Sequence, residues 1–310
     1  MLDAVPARAR AFLLALVLDA ILGDPPTVVH PVGWIGRLVR AVEARAPSSP
    51  FARRWFGVLG AAVIPWVAAM AARLFMESAR EAPRFVVSSA LILDSAFALR
   101  TLLARADEVR LALELGDLDE ARLLLRTHLV SRATDDLTAS EVAGAAIESV
   151  AENLSDSVIA PWLAFALHGA PGALAYRAVN TLDAMWGYRT PEYAHLGWAA
   201  ANLDDIVNWV PARATAAAIV ASAAVTHEDA AGAFEVWRRD GGATDSPNAG
   251  QPMAAMAGAL GVTLEKRGAY ALGDGSAPVA ADIARAIHVS RMAAAISAVA
   301  ILVPMLRCAR

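Results

Sequence analysis

Trp55–Ala72 reads WFGVLGAAVIPWVAAMAA, 18 residues without a single Asp, Glu, Lys or Arg. A run of that length and composition is about what a helix needs to cross the hydrocarbon core of a bilayer. Outward from it, residues 157–176 are also free of those four residue types, but Pro161, Gly169 and Pro171 interrupt them. This predicts two half-helices or a re-entrant element, whose freed backbone groups must find protein or water partners. Residues 292–306 form a third apolar segment, and residues 85–99 and 206–225 are further candidates that carry Asp94 and Arg213. A charge near the centre of a spanning helix costs about 2.5–3.5 kcal/mol, so Arg177 and Arg213 are expected near an interface or facing a polar cavity. Near the N-terminus, Arg8 and Arg10 precede the apolar run 11–18, which passes into Asp19 and Gly23-Asp24-Pro25-Pro26 without a cleavage signal. It reads as a retained first membrane helix. The expected fold class is all-α, a polytopic helical membrane protein with about four to six membrane segments and amphipathic helical insertions outside the bilayer. Arginines flank several segments on both sides, so charge asymmetry does not orient them.

Composition points the same way. The 310 residues are 57% hydrophobic and 19% charged, with a mean hydropathy of +0.45, whereas soluble domains carry about 25% charged residues. A net charge of −4 gives no basic excess and predicts no nucleic-acid partner. One cysteine, Cys308, excludes an internal disulfide framework and a CxxC metal site. Hydrophobic and amphipathic stretches are interleaved along the chain, which predicts one integral membrane domain over 1–310, with 100–153 and 226–290 as mainly extramembrane helical and loop insertions. Within the first insertion, Asp117 is a helix cap and Thr138-Ala139-Ser140-Glu141 a capping box. In the second, Thr226 is the expected cap of a polar helix running to about Arg239.

Several oxygen-rich clusters border the apolar segments. On the helix after Thr138, Glu141, Glu148 and Glu152 project within roughly 40° of one another, and Asp156 extends that face if the helix continues. Spacing alone also fits a solvated acidic face, but this helix leads through Asn153 directly into an apolar segment, where a hard cation such as Mg²⁺ could gather carboxylates and phosphate. Asn180-Thr181-Leu182-Asp183 and Asn202-Leu203-Asp204-Asp205, with Asn208, form two more clusters. Such groups are costly beside lipid unless they line an aqueous pocket or pack between helices. Ser246-Pro247-Asn248-Ala249-Gly250 is a turn entering a helix through Pro252 and ending at Gly261; its first amides could hold phosphate, or it is an ordinary capped turn. His30 reads as a hydrogen-bonding loop residue, because no second histidine stands at metal-ligand spacing. No GxxxxGK[ST] loop is present.

Five blocks in order, LDAILGDPPTVVHPVGWIG (18–36), AIESVAENLSDSVIAPW (146–162), AYRAVNTLDAMWGYRTPEY (175–193), ANLDDIVNWVPAR (201–213) and DSPNAGQPMAAMAGALGV (245–262), resemble the signature blocks of the CobD/CbiB family of cobalamin biosynthesis. The resemblance implies adenosylcobinamide-phosphate synthesis by a multi-pass enzyme of the inner cell membrane, with its active site facing the cytoplasm. The reaction it implies is ATP-dependent amide formation between the free carboxylate of adenosylcobyric acid and (R)-1-aminopropan-2-ol or its O-phosphate. ATP and Mg²⁺ enter as implied cofactors, and other enzymes of the pathway as implied partners. Laid on these positions, Glu148, Glu152, Asn153, Asp183, Asp204 and Asp205 are the expected catalytic residues. Asn180, Arg177, Arg189, Asn208, Arg213, Ser246, Asn248 and Gly250 would hold nucleotide and phosphate, and Glu152, Asp156, Asp204 and Asp205 the metal. The chain departs from the family pattern at Arg132-Ala133-Thr134, where Arg-Asp-Thr is usual, at Ser157, where glycine is common, and at Glu265-Lys266-Arg267, which replaces a glycine-richer stretch. Asp135 and Asp136 are the neighbours that could replace the missing aspartate. Two other readings fit the aspartate pairs and the broken apolar segment: an Mg²⁺-dependent intramembrane prenyl or lipid-diphosphate transferase, and a corrinoid-binding transporter or scaffold.

Overall fold

The Trp55–Ala72 stretch lies inside one long helix, α3 (Pro50–Glu77), in a computed structural model that describes residues 5–24, 30–79, 81–188 and 190–307. Ser49 caps this helix by accepting a hydrogen bond from the Ala52 amide, and Pro50 occupies the first turn, where its missing N–H costs nothing. Five helical stretches are long and apolar enough to cross a membrane: Pro50–Glu77, Pro83–Glu114, Ala139–Trp186, Trp198–Val225 and Ala280–Arg307. Each contains or overlaps one of the apolar segments read from the sequence, and the chain is a polytopic helical membrane protein. The N-terminal run forms α1 (Ala7–Leu22), a helix of 16 residues. At 1.5 Å per residue it is about 24 Å long, short of the hydrocarbon thickness by itself.

The helices group into two units, drawn from Met1–Ala98, Ala160–Val207 and Ala300–Arg310 on one side and from Leu99–Ile159 and Asn208–Val299 on the other. In the first, α3 packs against α8 (Ala160–Trp186), α1 against α4 (Ala82–Asp94), and α2 (Pro31–Glu43) against α8. Glycines set two contacts of α3: a Cβ on Gly60 would come within 2.9 Å of the Trp186 ring on α8, and one on Gly57 within 2.0 Å of the Leu196 carbonyl oxygen in the turn that follows α8. Small residues at such a face let backbones approach closely, which is how packing replaces the missing hydrophobic drive in lipid. Trp162 anchors the aromatic core, with Phe12 and Phe97 edge-on to it at centroid distances of 5.6 and 5.3 Å.

The interrupted apolar segment is indeed broken. Gly169 adopts φ 69° and ψ −162°, dividing α8 into two helical pieces, with Pro171 opening the second. The Arg8 guanidinium donates a hydrogen bond to the Ala166 carbonyl at 3.1 Å, satisfying a group exposed by the break.

In the second unit, α7 (Ala139–Leu154) is buried from Val142 through Ala151, and α5 (Leu99–Glu114), α6 (Leu118–His128) and α11 (Gly250–Leu260) pack on it. The two expected caps are present: Asp117 accepts from the Glu120 amide, and Thr138 with Glu141 forms the reciprocal capping box. α7 ends in one π-helical turn, Ser155–Ile159. α10 (Ala230–Asp240) lies so close to α11 that a Cβ on Gly258 would meet the Gly232 carbonyl oxygen at 2.2 Å. Its cap is Asp229, which accepts from the Gly232 amide, and not Thr226 as the sequence suggested. The preceding helix α9 (Trp198–Val225) ends at the residue where the apolar segment 206–225 ended, Thr226 donates back to its Ser222 carbonyl, and the chain turns at His227 with φ 61° before the cap. The structure also contains an element the sequence reading did not anticipate, a hairpin of β1 (Leu264–Lys266) and β2 (Tyr270–Leu272) turning at Gly268 with φ 72°. α12 (Ala280–Arg307) completes the chain.

The Gly169 conformation lies in a region open essentially to glycine alone, at a cost of about 1–3 kcal/mol for other residues. Gly169→Ala should therefore lower the unfolding midpoint of the detergent-solubilised protein. Thermal unfolding followed by circular dichroism checks this, with Gly268→Ala as a hairpin control that leaves the broken helix intact.

Candidate functional site

The second unit holds a small polar pocket of about 170 Å³. Three segments build it: the loop after α6, which supplies Arg132; α7, which supplies Glu148 and Glu152 one turn apart; and the hairpin, which supplies Lys266 and Tyr270. Lys266 and Tyr270 are direct partners across the antiparallel register, so their side chains emerge on the same face. Glu148 is 5% exposed. Its Oε2 lies 3.7 Å from Arg132 Nη2, Tyr270 hydrogen-bonds to its carboxylate, and its Oε1 is buried with no hydrogen-bond partner among the described residues. Burial and the adjacent Glu148 and Glu152 carboxylates push the Tyr270 phenol well above its ordinary range, so it stays a protonated donor.

The other residues of the acidic helix face do different work. Glu141 closes the capping box and pairs with Arg267, which also reaches Asp136 at 3.5 Å. Asn153 donates to the Ser149 carbonyl at 2.9 Å and accepts from Ser157 at 3.2 Å, tying it to its own helix. Asp156 falls in the π-helical turn, which alters the angular register that the sequence argument extended to it. Asp135 pairs with Arg126 at 3.2 Å, and neither it nor Asp136 lines the pocket.

Also in the second unit, Arg213 stacks on the Trp209 ring at 4.2 Å and donates to Asn248 Oδ1 at 3.3 Å. Asn248 and Asn208 are both buried. The first amides of α11 are engaged within the turn: the Gly250 N–H donates to Thr244 Oγ1 at 3.0 Å, and the Gln251 N–H to the Asn248 carbonyl. The Ser246 hydroxyl accepts from the Asn248 amide at 3.3 Å. This segment is a tightly self-bonded turn.

In the first unit, Asp183 on α8 and Asp205 on α9 lie close enough for their charges to act on each other. Gly187 makes room for the first carboxylate, since a Cβ there would come within 2.0 Å of Asp183 Oδ1. Asp204 and Asp205 are half-buried. Arg177 donates to Asn180 at 3.1 Å, and Asn202 donates to the Trp198 carbonyl at 2.7 Å. Arg189 lies outside the described residues. No three His, Cys, Asp or Glu side chains converge as a metal cage among the described residues. A pair such as Asp183 and Asp205 does fit Mg²⁺ that arrives with its phosphates, because that ion commonly takes only one or two protein carboxylates.

His30 caps α2 by accepting the Val32 N–H at 3.2 Å, as a loop histidine should. Burial pushes its imidazole below the usual value, with Asp24 opposing and Arg177 reinforcing the shift, and the neutral ring is the form that can accept. Glu43 was missed in the sequence reading. One of its oxygens accepts from the fully buried Trp186 indole at 3.2 Å and the other from the Tyr193 hydroxyl at 2.7 Å, and this hydrogen bond raises the phenol to about 12. Glu43 and Trp186 are 143 positions apart, so no local pattern could have paired them. Lys266 and Tyr270 did have a signal: two short runs joined across Arg267-Gly268-Ala269, the spacing of a glycine-containing hairpin.

A helical membrane protein with buried carboxylates, an aspartate pair and a mixed-charge pocket is the class that the fold and its clusters define. The family model for the CobD/Cbib protein matches residues 12–299. The chain is 41% identical over 268 residues to a probable cobalamin biosynthesis protein CobD of Methanothermobacter thermautotrophicus, covering 86% of this chain and 88% of that one. It is 43% identical over 286 residues to the cobalamin biosynthesis protein CobD of Chromobacterium violaceum, covering 89% of each. With the CobD of Mycobacterium tuberculosis it shares 38% identity over 304 residues, 94% of each chain. No solved structure matches it. The chain belongs to the CobD/CbiB family, and its role lies in cobalamin biosynthesis.

Removing the acceptor at Glu43 leaves the buried Trp186 N–H unpaired, which costs about 1–3 kcal/mol. Glu43→Ala should lower the unfolding midpoint, whereas Glu43→Gln, which keeps one acceptor oxygen, should recover part of the loss. Equal midpoints for wild type and Glu43→Ala in a detergent melt would remove Glu43 as the brace of this loop.

Proposed function

We propose that the protein is an ATP-dependent acid–amine ligase that joins the free carboxylate of adenosylcobyric acid to (R)-1-aminopropan-2-ol or its O-phosphate. The observation that carries this reading is the family match across residues 12–299, a range that takes in the pocket at Glu148, the Asp183–Asp205 pair and the Arg213–Asn248 contact. Amide formation from a carboxylate requires a better leaving group than oxide. In the first step a corrinoid carboxylate oxygen attacks the γ-phosphorus of ATP and ADP departs, leaving an acyl phosphate. In the second the amine nitrogen attacks the acyl carbon, inorganic phosphate leaves with the C–O bond electrons, and the nitrogen gives up a proton.

The chain's own residues fit the demands of that sequence. Mg²⁺ bound with the nucleotide would offset the negative charge that opposes attack by a carboxylate. Asp183 and Asp205, with Asp204 beside them, are the carboxylates we assign to holding it. Arg177 and Arg213 present guanidinium groups suited to phosphate oxygens. Glu148 and Glu152 are carboxylates able to receive the proton the amine must lose. We assign the enzyme to the inner membrane and its nucleotide site to the cytoplasmic side, where ATP is available.

The test is mass spectrometry of the purified, detergent-solubilised protein incubated with adenosylcobyric acid, aminopropanol phosphate, ATP and Mg²⁺, omitting each in turn. The expected product is a corrinoid heavier by the amine minus water and dependent on ATP. The double substitution Asp204→Ala with Asp205→Ala should cut turnover by about a hundredfold or more while leaving the unfolding midpoint near that of wild type. Product formed without ATP, or full activity in a folded double variant, would refute the corresponding part of the assignment.

A further inference from the structure

In the first unit, helix ends gather around a pocket of about 420 Å³, a volume within the range of ligand sites. The charge-free run of α3 stops at Ala72, and the next turn carries Arg73 and Glu77. Arg8 is the second residue of α1, Phe85 lies in the first turn of α4, and His168 precedes the break of α8. All five line the pocket. A level at which spanning helices end and arginines appear is the headgroup region of a bilayer. The polar side of the pocket holds two guanidiniums and one carboxylate. Arg8 meets the neutral Ala166 carbonyl, a bond that leaves its charge uncompensated. Arg73 Nε stands 3.6 Å from Glu77 Oε1, with the two side chains 70% and 44% exposed, so that pair is weak. The sum is one net positive charge, with the His168 imidazole beside it as a donor. The other wall is apolar, formed by Met76, Phe85, Phe165 and Pro171. In the same helices, the exposed large side chains Leu74, Phe75, Val87 and Leu167 mark apolar surface facing the bilayer.

We propose that this pocket binds one anionic glycerophospholipid of the surrounding membrane. Its phosphodiester sits between Arg8 and Arg73, His168 donates to a headgroup oxygen, and the upper part of an acyl chain lies against Phe85 and Phe165. A phosphodiester monoanion with an uncharged headgroup cancels the single net positive charge of the pocket. The ammonium of a zwitterionic lipid would bring that charge back. Free inorganic phosphate would meet the guanidiniums but leave the apolar wall uncovered. The bound lipid ties the starts of α1 and α4 to the end of α3 at the Gly169 break, where Arg8 already compensates one freed backbone carbonyl. It is therefore a structural ligand. The site shares no residue with those assigned to the ligase and stands independently of that reading.

Native mass spectrometry of the full-length, delipidated protein in neutral detergent tests this, with phosphatidylglycerol or phosphatidylethanolamine of matched chains added, alongside circular dichroism melts. Wild type should retain one phosphatidylglycerol about fivefold more tightly than phosphatidylethanolamine, and its unfolding midpoint should rise with phosphatidylglycerol. Arg73→Gln, at an exposed side chain, should lose that preference, and Glu77→Gln, which removes the opposing charge, should strengthen it. Equal retention of the two lipids by wild type, or an Arg73→Gln variant that melts like wild type and keeps the preference, overturns the proposal. Where Arg73→Gln melts lower in detergent alone, Glu77→Gln decides, and phosphatidylglycerol retained no more tightly than by wild type overturns it as well. Inorganic phosphate that raises the wild-type midpoint as far as phosphatidylglycerol does identifies a soluble-phosphate site and overturns the lipid assignment.

Discussion

In hydrocarbon every backbone N–H and C=O must find its partner within the protein. That constraint explains why the apolar stretches of this chain are helices and why a break in one of them needs a dedicated compensator. α8 breaks at Gly169, and the guanidinium of Arg8 reaches across to the carbonyl of Ala166. The same constraint explains the glycines of α3, since helices that gain little from hydrophobic exclusion must gain from close contact. Gly57 and Gly60 admit Leu196 and Trp186 to distances that any side chain would block.

Charged groups follow from it as well. Most carboxylates of the second unit are spoken for: Glu141 by Arg267, Glu228 and Asp282 by Arg285, and Asp240 by Arg239 and the Gly273 amide. The guanidinium beside Asp240 holds its carboxyl below the usual carboxylate range, as expected of a group committed to a structural pair. Glu148 differs, because one of its oxygens is buried and unmatched while its neighbours include a loosely placed arginine and a tyrosine that remains protonated. Commitment of a charge to a partner separates carboxylates that hold the fold from those available to a ligand.

The sequence reading found the outline of this arrangement. Helices appear where charge-free runs predicted them, the capping box at Thr138 and the C-terminal glycine at Gly261 stand where their patterns placed them, and the interrupted segment is broken at one of its three marked residues. It placed Thr226 as a cap because a threonine just before His227-Glu228-Asp229 has the right local chemistry; Thr226 instead bonds back to Ser222 at the end of α9, and the turn at His227 leaves the cap to Asp229. It grouped Glu141, Glu148 and Glu152 on one face, with Asp156 added on the condition of a continuing 3.6-residue period; the π-helical turn breaks that period before Asp156, and Arg267 engages Glu141.

The amino-acid sequence by itself determined that this is a helical membrane protein, where its helices begin and break, and which family it belongs to. These depend on local periodicity, on runs without charge and on motifs contiguous in the chain. Tertiary structure alone decided that Glu148 and Glu152 face Arg132, Lys266 and Tyr270, that Asp183 lies near Asp205, and that Glu43 braces Trp186 and Tyr193. Each of those groupings joins residues distant in the chain, and the partner of a charge is chosen by which backbones pack closely enough to bring it there.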